Sequence, residues 1–393
     1  MNPFGDELNR RLAALREQKL FRELRRVDSA SGPRLEIGGQ TFLNFSANDY
    51  LGLANHPALK AAAVCAVEKF GAGAGASRLI CGSIAPFHEL EELLAAFKQT
   101  EAALTFSTGY ATAVGTITAL LGKDDVIILD KLVHASIVDA AKLSGAKIRV
   151  FVHNDLDDLE AKLKWANLAK AENGKRKTEI LVVTESIFSM DGDAAPLREM
   201  VALKEKYGAW LMVDEAHATG VTGENGRGLA SELGIGNRIE IQMGTLGKAL
   251  GASGGYICGS RALVGFLVNR ARSFIFSTAP VPAAAAAAAA GIQIAQSAEG
   301  EKLRSQLRQR QAEFQSAIGN RQSAIAGAIV PLILGDEERA VAAAAKLREQ
   351  NIFVPAIRYP TVARGAARLR LTFSAAHSPA DIAELVRALK TLD

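Results

Sequence analysis

The sequence predicts an α/β fold: a large unit built on a mostly parallel sheet with helices on both faces, followed by a smaller α+β unit. Two observations carry this. The apolar runs Val126-Ile127-Ile128-Leu129, Ile148-Arg149-Val150-Phe151, Ile180-Leu181-Val182-Val183 and Trp210-Leu211-Met212-Val213 are each followed by a polar turn and a helical pattern, as parallel strands joined by crossover helices require. The chain has 393 residues, more than one ordinary domain and enough for a large α/β unit with a companion. With 49% hydrophobic and 22% charged residues, it has the composition of a compact globular protein rather than a disordered one.

Taken in order, Leu8, Leu12, Leu15, Leu20, Phe21 and Leu24 recur at roughly helical spacing, and residues 34–45, with Gly38-Gly39 at their centre, read as a hairpin. Residues 1–50 therefore form an N-terminal arm. The large unit takes residues 51–290 and closes on the alanine run Ala283 to Ala290. That run is too short and too weakly apolar to span a bilayer, and it suits a buried, closely packed helix. Residues 291–393 form the smaller unit: a charged helix over 301–318, strands at 329–334, 352–355 and 369–372, and a final helix ending near Leu392. No internal repeat is evident.

Forty-six basic against 42 acidic residues leave a net charge of +4, so no global field recruits nucleic acid or an anionic membrane. The cluster Lys175-Arg176-Lys177, after Glu172-Asn173-Gly174, reads as a solvated loop before a strand. Cys65, Cys81 and Cys258 have neither CxxC pairing nor alternating histidine spacing, which argues against a structural metal site and against a disulfide framework. A reducing cytoplasm is the expected compartment. The opening Met1-Asn2-Pro3-Phe4-Gly5-Asp6-Glu7 lacks a basic region followed by an apolar stretch, so neither a secretory signal nor a membrane anchor is expected.

In open α/β sheets, ligands bind in the crevice at the carboxyl ends of the strands. The chemistry-bearing residues obey this rule. His134 follows the first strand, Ser189 the third, Asp214 closes the fourth, and Lys248 follows the apolar run 239–243. Lys248 stands in Gly244-Thr245-Leu246-Gly247-Lys248, and Asp214 lies 34 residues earlier. Such a lysine can form a Schiff base with the aldehyde of pyridoxal 5'-phosphate (PLP), while the aspartate keeps the pyridine nitrogen protonated. The pair predicts a carbanion-forming enzyme.

Other motifs have plainer alternatives. Ser107-Thr108-Gly109-Tyr110-Ala111-Thr112 precedes an apolar helix; alone it is more commonly a capping turn, but in the same crevice its backbone N–H groups suit the cofactor phosphate. Gly71-Ala72-Gly73-Ala74-Gly75-Ala76 lacks GxGxxG spacing and a preceding strand, which excludes a dinucleotide loop. Gly244 to Ala249 lacks the spacing and the Ser or Thr after lysine that a nucleoside-triphosphate loop needs. His134 and His217 have readings as packed histidines, and Asp214 as a helix cap. Their joint spacing favours His134 lying on the pyridine ring and His217 reaching the ring oxygen. Arg358, between Pro355 and Pro360, is either a surface arginine or a clamp for a substrate carboxylate.

Four blocks extend these features: Asn44-Phe45-Ser46-Ala47-Asn48-Asp49-Tyr50-Leu51-Gly52, Glu185-Ser186-Ile187-Phe188-Ser189-Met190-Asp191-Gly192-Asp193, Val213-Asp214-Glu215-Ala216-His217-Ala218-Thr219-Gly220, and Gly244 to Lys248. With them the chain resembles the α-oxoamine synthase family of fold-type I PLP enzymes, from about Arg22 to the C-terminal helix. The resemblance implies a large domain with a seven-stranded sheet and a decarboxylative condensation of an amino acid with an acyl thioester. Ala356-Ile357-Arg358-Tyr359-Pro360-Thr361-Val362 and Ala367-Arg368-Leu369-Arg370-Leu371-Thr372 point within it to the biotin-biosynthesis branch, with L-alanine and pimeloyl-CoA or pimeloyl-acyl carrier protein as substrates. Tyr359 and Ala363 replace two prolines usual in that branch, and the Tyr-Pro-Thr-Val form also occurs in 5-aminolevulinate synthases.

The same resemblance implies roles for individual residues. Lys248 would hold PLP and remove the Cα proton, Asp214 would hold the pyridinium proton, His134 would stack on the ring and face the substrate, and His217 would bond the phenolic oxygen. Gly109 and Tyr110 would locate the cofactor at a helix N-terminus, with Ser189 and Thr245 contributing hydroxyls. Asn48 and Arg358 would hold the amino-acid carboxylate, and Arg22 and Thr361 would lie in the acyl pocket. Family members are homodimers with active sites at the interface, so Ser277 and Thr278 either reach the partner's phosphate or simply cap a helix before Pro280. The alternatives are a sister synthase using glycine with acetyl-CoA or serine with a long acyl chain, an aminotransferase, and a catalytically silent PLP-binding paralogue. The joint presence of Lys248, Asp214, His134 and Arg358 argues against the last.

Overall fold

The computed structural model describes residues 2–18, 20–172, 178–319 and 326–392; the basic cluster at 175–177 lies outside them. The chain opens with α1 (Pro3–Glu17), β1 (Arg34–Ile37), β2 (Gln40–Asn44), α2 (Pro57–Phe70) and α3 (Ala85–Lys98). Then come β3 (Ala102–Phe106), α4 (Gly109–Leu120), β4 (Val126–Asp130), α5 (Ala135–Ser144), β5 (Lys147–Phe151), α6 (Leu156–Glu172), β6 (Ile180–Glu185), α7 (Leu197–Tyr207) and β7 (Trp210–Asp214). The short α8 (Leu229–Glu232) leads to β8 (Ile241–Thr245), β9 (Gly255–Gly259), α9 (Arg261–Arg270) and α10 (Arg272–Ile275). Finally, α11 (Pro282–Gln296) and α12 (Ala298–Ile318) precede β10 (Ile329–Gly335), α13 (Glu337–Glu349), β11 (Ile352–Phe353), β12 (Ala356–Ile357), β13 (Ala367–Thr372) and α14 (Pro379–Leu389).

The large sheet has seven strands in the order β3-β9-β8-β7-β6-β4-β5. Strands β5, β4, β6, β7 and β8 pair in parallel, and β9 runs antiparallel between β8 and β3. The chain passes from β4 out to β5, then returns across β4 to β6 and on to β7 and β8. That reversal opens a crevice at the carboxyl ends of β4 and β6. Every residue of β4 and β6 is buried, because alternate side chains enter separate cores. Ile128, Val182 and Val213 pack with Leu159, Leu163, Met200 and Val201 on one face, and Leu129, Val183 and Met212 with Ala113, Ile117, Ile137 and Ala140 on the other. Continuous apolar runs are what a strand covered on both faces needs.

The structure departs from the sequence expectation at several elements. Strands β3 and β9 were not anticipated: Ala102-Ala103 has weak strand propensity, and glycines bound the short Tyr256-Ile257-Cys258 run. The N-terminal helix stops at Glu17 with no buried residue, and Leu24 is fully exposed, so the leucine spacing continues past the helix. The strand expected at 352–355 shortens to the two residues of β11, and a separate strand, β12, follows it. β11 pairs in parallel with β2, completing the hairpin as a three-stranded sheet, while β12 joins β13 and β10. The alanine-rich α11 is close-packed as expected: a Cβ at Gly291 would stand 2.3 Å from the Leu250 carbonyl oxygen. Among the described residues no helix is long and apolar enough to cross a membrane, and no group of three or more His, Cys, Asp or Glu is placed to hold a metal.

Candidate active site

Asp214 ends β7 in register with Glu185 on β6 and Met243 on β8. Its Oδ1 accepts the Ala216 N–H at 2.9 Å. Lys248 lies close enough for the charges to act on one another. Burial holds the Lys248 amine below its usual range, against the pull of Asp214 and Glu185. Burial raises Asp214, opposed by Lys248, by the Ala216 N–H and by His134. Glu185 is pushed up to about 8 by burial and by Asp214, and its Oε1 is buried without a hydrogen-bond partner. His134 begins α5, and its Nδ1 accepts the Ser136 N–H at 3.2 Å, which fixes the imidazole beside this group. The structure thus brings Lys248, Asp214 and His134 together, as expected from their strand ends.

At the other end of the crevice, Thr108 caps α4 by accepting the Ala111 N–H at 3.0 Å. The first helical N–H groups, at Gly109 and Tyr110, have no partner within the helix. Two glycines let this turn sit on the sheet edge. A Cβ at Gly109 would be 2.7 Å from Thr245 Cγ2, and one at Gly255 would be 2.9 Å from Gly109 Cα. Thr245 Oγ1 is buried and unpartnered. The Tyr110 hydroxyl donates to Asp139 at 3.1 Å. Ser277 donates to the Thr278 carbonyl at 3.1 Å, and α11 is capped at Val281, so neither residue caps that helix.

The third part of the site comes from β13. Arg370 is buried, and its Nε donates to the Ser189 carbonyl at 2.6 Å. The rest of its fork reaches Thr372 Oγ1 at 3.0 Å and Asn48 Oδ1 at 3.3 Å. All three partners are neutral, and a buried cation without an anion is costly. The Tyr50 hydroxyl lies 3.2 Å from Asn48 Oδ1 and 2.5 Å from His217 Nδ1. Ser189 N–H donates to Glu185 Oε2 at 3.1 Å. Asn48, Ser189 and His217 therefore join the cluster around Lys248.

Arg358 stands elsewhere, lining a groove of about 920 Å³ with Arg16, Phe21, Arg364 and the first turn of α13. Thr361 is exposed and donates its N–H to the Arg358 carbonyl at 2.9 Å; Arg22 is exposed in the segment after α1. Sequence reasoning assigned no role to Arg370, Tyr50 or Glu185. The signal for Arg370 was present in Arg368-Leu369-Arg370-Leu371: alternation with leucine on a strand buried on both faces puts guanidinium groups inside.

A half-buried amine beside a carboxylate, an unpartnered threonine hydroxyl and a free helix N-terminus within one crevice fit PLP. The chain belongs to the aminotransferase class I and II family, whose sequence profile matches residues 40–389. Within it the chain is similar to the 8-amino-7-oxononanoate synthase of Geotalea daltonii, at 46% identity over 392 residues, 99% of this chain and 97% of that one. It also superimposes on serine palmitoyltransferase from S. paucimobilis with a bound PLP-myriocin aldimine, with a TM-score of 0.89 at 30% identity over 98% of this chain and 96% of that one. For 8-amino-7-oxononanoate synthase from Francisella tularensis the TM-score is 0.73 at 27% identity, covering 89% and 97%. The expected fold class and the resemblance to the α-oxoamine synthases are borne out.

Proposed function

We propose that this chain is a PLP-dependent acyltransferase that condenses L-alanine with a pimeloyl thioester to give 8-amino-7-oxononanoate, carbon dioxide and the free carrier thiol. The observation that carries the reading is the convergence of Lys248, Asp214 and His134 on one sheet edge in a chain 46% identical to an 8-amino-7-oxononanoate synthase. Bound PLP supplies an electron-withdrawing ring that acidifies the alanine Cα–H. Lys248 holds the cofactor, and its amine, biased toward the neutral form by burial, removes that proton and later returns one to the same carbon. Asp214 holds the proton on the ring nitrogen, and His134 covers the ring and faces the substrate. His217, Ser189, Thr245 and the N–H groups of Gly109 and Tyr110 fix the cofactor's polar atoms. Arg370 and Asn48 orient the alanine carboxylate. The new bond joins alanine Cα to the thioester carbonyl carbon; the thiol departs, and the carboxylate then leaves as carbon dioxide.

Arg22 and Thr361 remain the acyl-side residues, and Arg358 opens on the groove beside them. The protein acts as a homodimer. Leu79, Ile80 and Phe276 are exposed around the bridge between Ser77 and Thr278, an apolar surface that suits a second copy and puts Ser277 and Thr278 at its edge. A sister synthase is the second reading, favoured by the TM-score of 0.89 to serine palmitoyltransferase. The test is to incubate PLP-loaded protein with L-alanine and pimeloyl-CoA and identify products by mass spectrometry, with pimeloyl-acyl carrier protein, glycine, serine, acetyl-CoA and palmitoyl-CoA in parallel. Product from alanine with a pimeloyl donor alone is expected. Product only from serine with palmitoyl-CoA overturns the assignment in favour of the sister enzyme.

A further inference from the structure

We propose that Tyr50 is a positioning residue that holds His217 in its Nε2–H tautomer, so that the imidazole presents a donor to the ring oxygen of PLP; this rests on the functional reading above. The Tyr50 side chain is fully buried in the core behind the site, and its hydroxyl meets two groups. One is His217 Nδ1 at 2.5 Å and the other is Asn48 Oδ1 at 3.2 Å. The Arg370 guanidinium carries donors only. It points two N–H groups at Asn48 Oδ1, each at 3.3 Å.

These donors orient the phenol proton. With Arg370 occupying Asn48 Oδ1, the single phenol hydrogen goes to the shorter contact, His217 Nδ1. Burial pushes the Tyr50 pKa up to about 12, so the phenol keeps that hydrogen near neutral pH. Burial, together with the cations Lys248 and Arg370, takes His217 well below its ordinary value, so the imidazole is neutral and has one N–H. If Nδ1 accepts, that hydrogen stands on Nε2, which makes no bond among the described residues. Tyr50 then donates to His217 while Arg370 donates to Asn48.

The test uses the full-length, PLP-loaded protein with 15N-labelled imidazoles. The chain has six histidines, and the His217 signals are identified by their loss in His217→Gln. The expected wild-type spectrum has a bare, accepting Nδ1 and a protonated Nε2. Tyr50→Phe is expected to shift both signals toward a mixture of tautomers and to lower kcat/KM for alanine about tenfold, the scale of one ordinary hydrogen bond. Nδ1–H in the wild type, or an unchanged Nε2–H signal in folded Tyr50→Phe, overturns the proposal; should that variant not fold, the wild-type spectrum decides. Product formation is assayed on the same wild-type sample. Product with an Nδ1–H imidazole defeats the tautomer assignment alone, whereas an Nε2–H imidazole with no product from any substrate pair defeats the functional reading alone.

Discussion

Replacing Arg370 by glutamine separates two candidate carboxylate clamps. Arg370 is 5% exposed; its guanidinium is held by Ser189, Thr372 and Asn48 and has no carboxylate in salt-bridge range among the described residues. An incoming alanine carboxylate would meet a desolvated, pre-oriented fork. Truncating one partner of such a buried charge pair costs about 2–5 kcal/mol, which corresponds to roughly 30-fold up to a few thousandfold in kcat/KM. Arg358 lines an open groove, where a charge interaction is worth at most about 1 kcal/mol. Arg358→Gln should then change kcat/KM for alanine by no more than about fivefold. The assay varies alanine at saturating pimeloyl-CoA and scores each variant's PLP occupancy, because Arg370 also holds the Ser189 carbonyl. A larger loss for Arg358→Gln than for Arg370→Gln, at equal occupancy, refutes the placement of the carboxylate.

Three further predictions concern stability and cofactor retention. Lys98 and Glu215 are a fully buried ion pair, with Lys98 also bonded to the Arg227 carbonyl, so Lys98→Met should cost about 3–5 kcal/mol in urea unfolding by stranding a buried carboxylate; a loss below about 1 kcal/mol contradicts that account. Burial lowers the His153 pKa, but Asp130 and Asp193, each bonded at 2.9 Å, raise it to about 10. Because the folded value lies above the unfolded one, the stability advantage of wild type over His153→Gln should be complete below 6.5 and lost as pH rises through about 10; a melting-temperature difference independent of pH would count against it. Thr245→Val removes a buried hydroxyl without a partner, so it should weaken PLP retention in dialysis while leaving the PLP-free protein at least as stable as wild type, and unchanged PLP affinity would remove Thr245 from the cofactor site.

Legibility in the sequence followed locality. The strands β4, β6 and β7 were readable because a strand buried on both faces must be continuously apolar. The placement of His134, Asp214 and Lys248 followed from the rule that places ligands at the carboxyl ends of those strands. What escaped depended on distant pairing. Strand β9 is stabilised by β3 and β8 on its two sides and has little local signal of its own. Strand β11 has two residues, and its partner β2 lies some three hundred positions earlier. Arg370 was hidden for the same reason: the contact that defines it, with Ser189, spans 181 residues. Arg358 drew the carboxylate assignment because its flanking prolines are visible locally, whereas burial of a guanidinium on β13 is a property of the assembled fold.

The charges of the site also explain why its residues look unfavourable one at a time. Asp214 and Glu185 are raised by burial, Lys248 and His217 are lowered by it, and Arg370 has only neutral partners. A protein selected for stability alone would not keep such a set, since desolvated charges without counterions oppose folding. The proposed ligands supply what is missing: a pyridinium proton for Asp214, an aldehyde carbon for the Lys248 amine, a phosphate for the first turn of α4 and a carboxylate for Arg370. Each ligand group relieves a cost already present in the folded chain, so binding strengthens the native state by mass action. The same incompleteness makes the crevice selective, because a ligand lacking any one of these groups leaves a buried charge or hydroxyl without a partner.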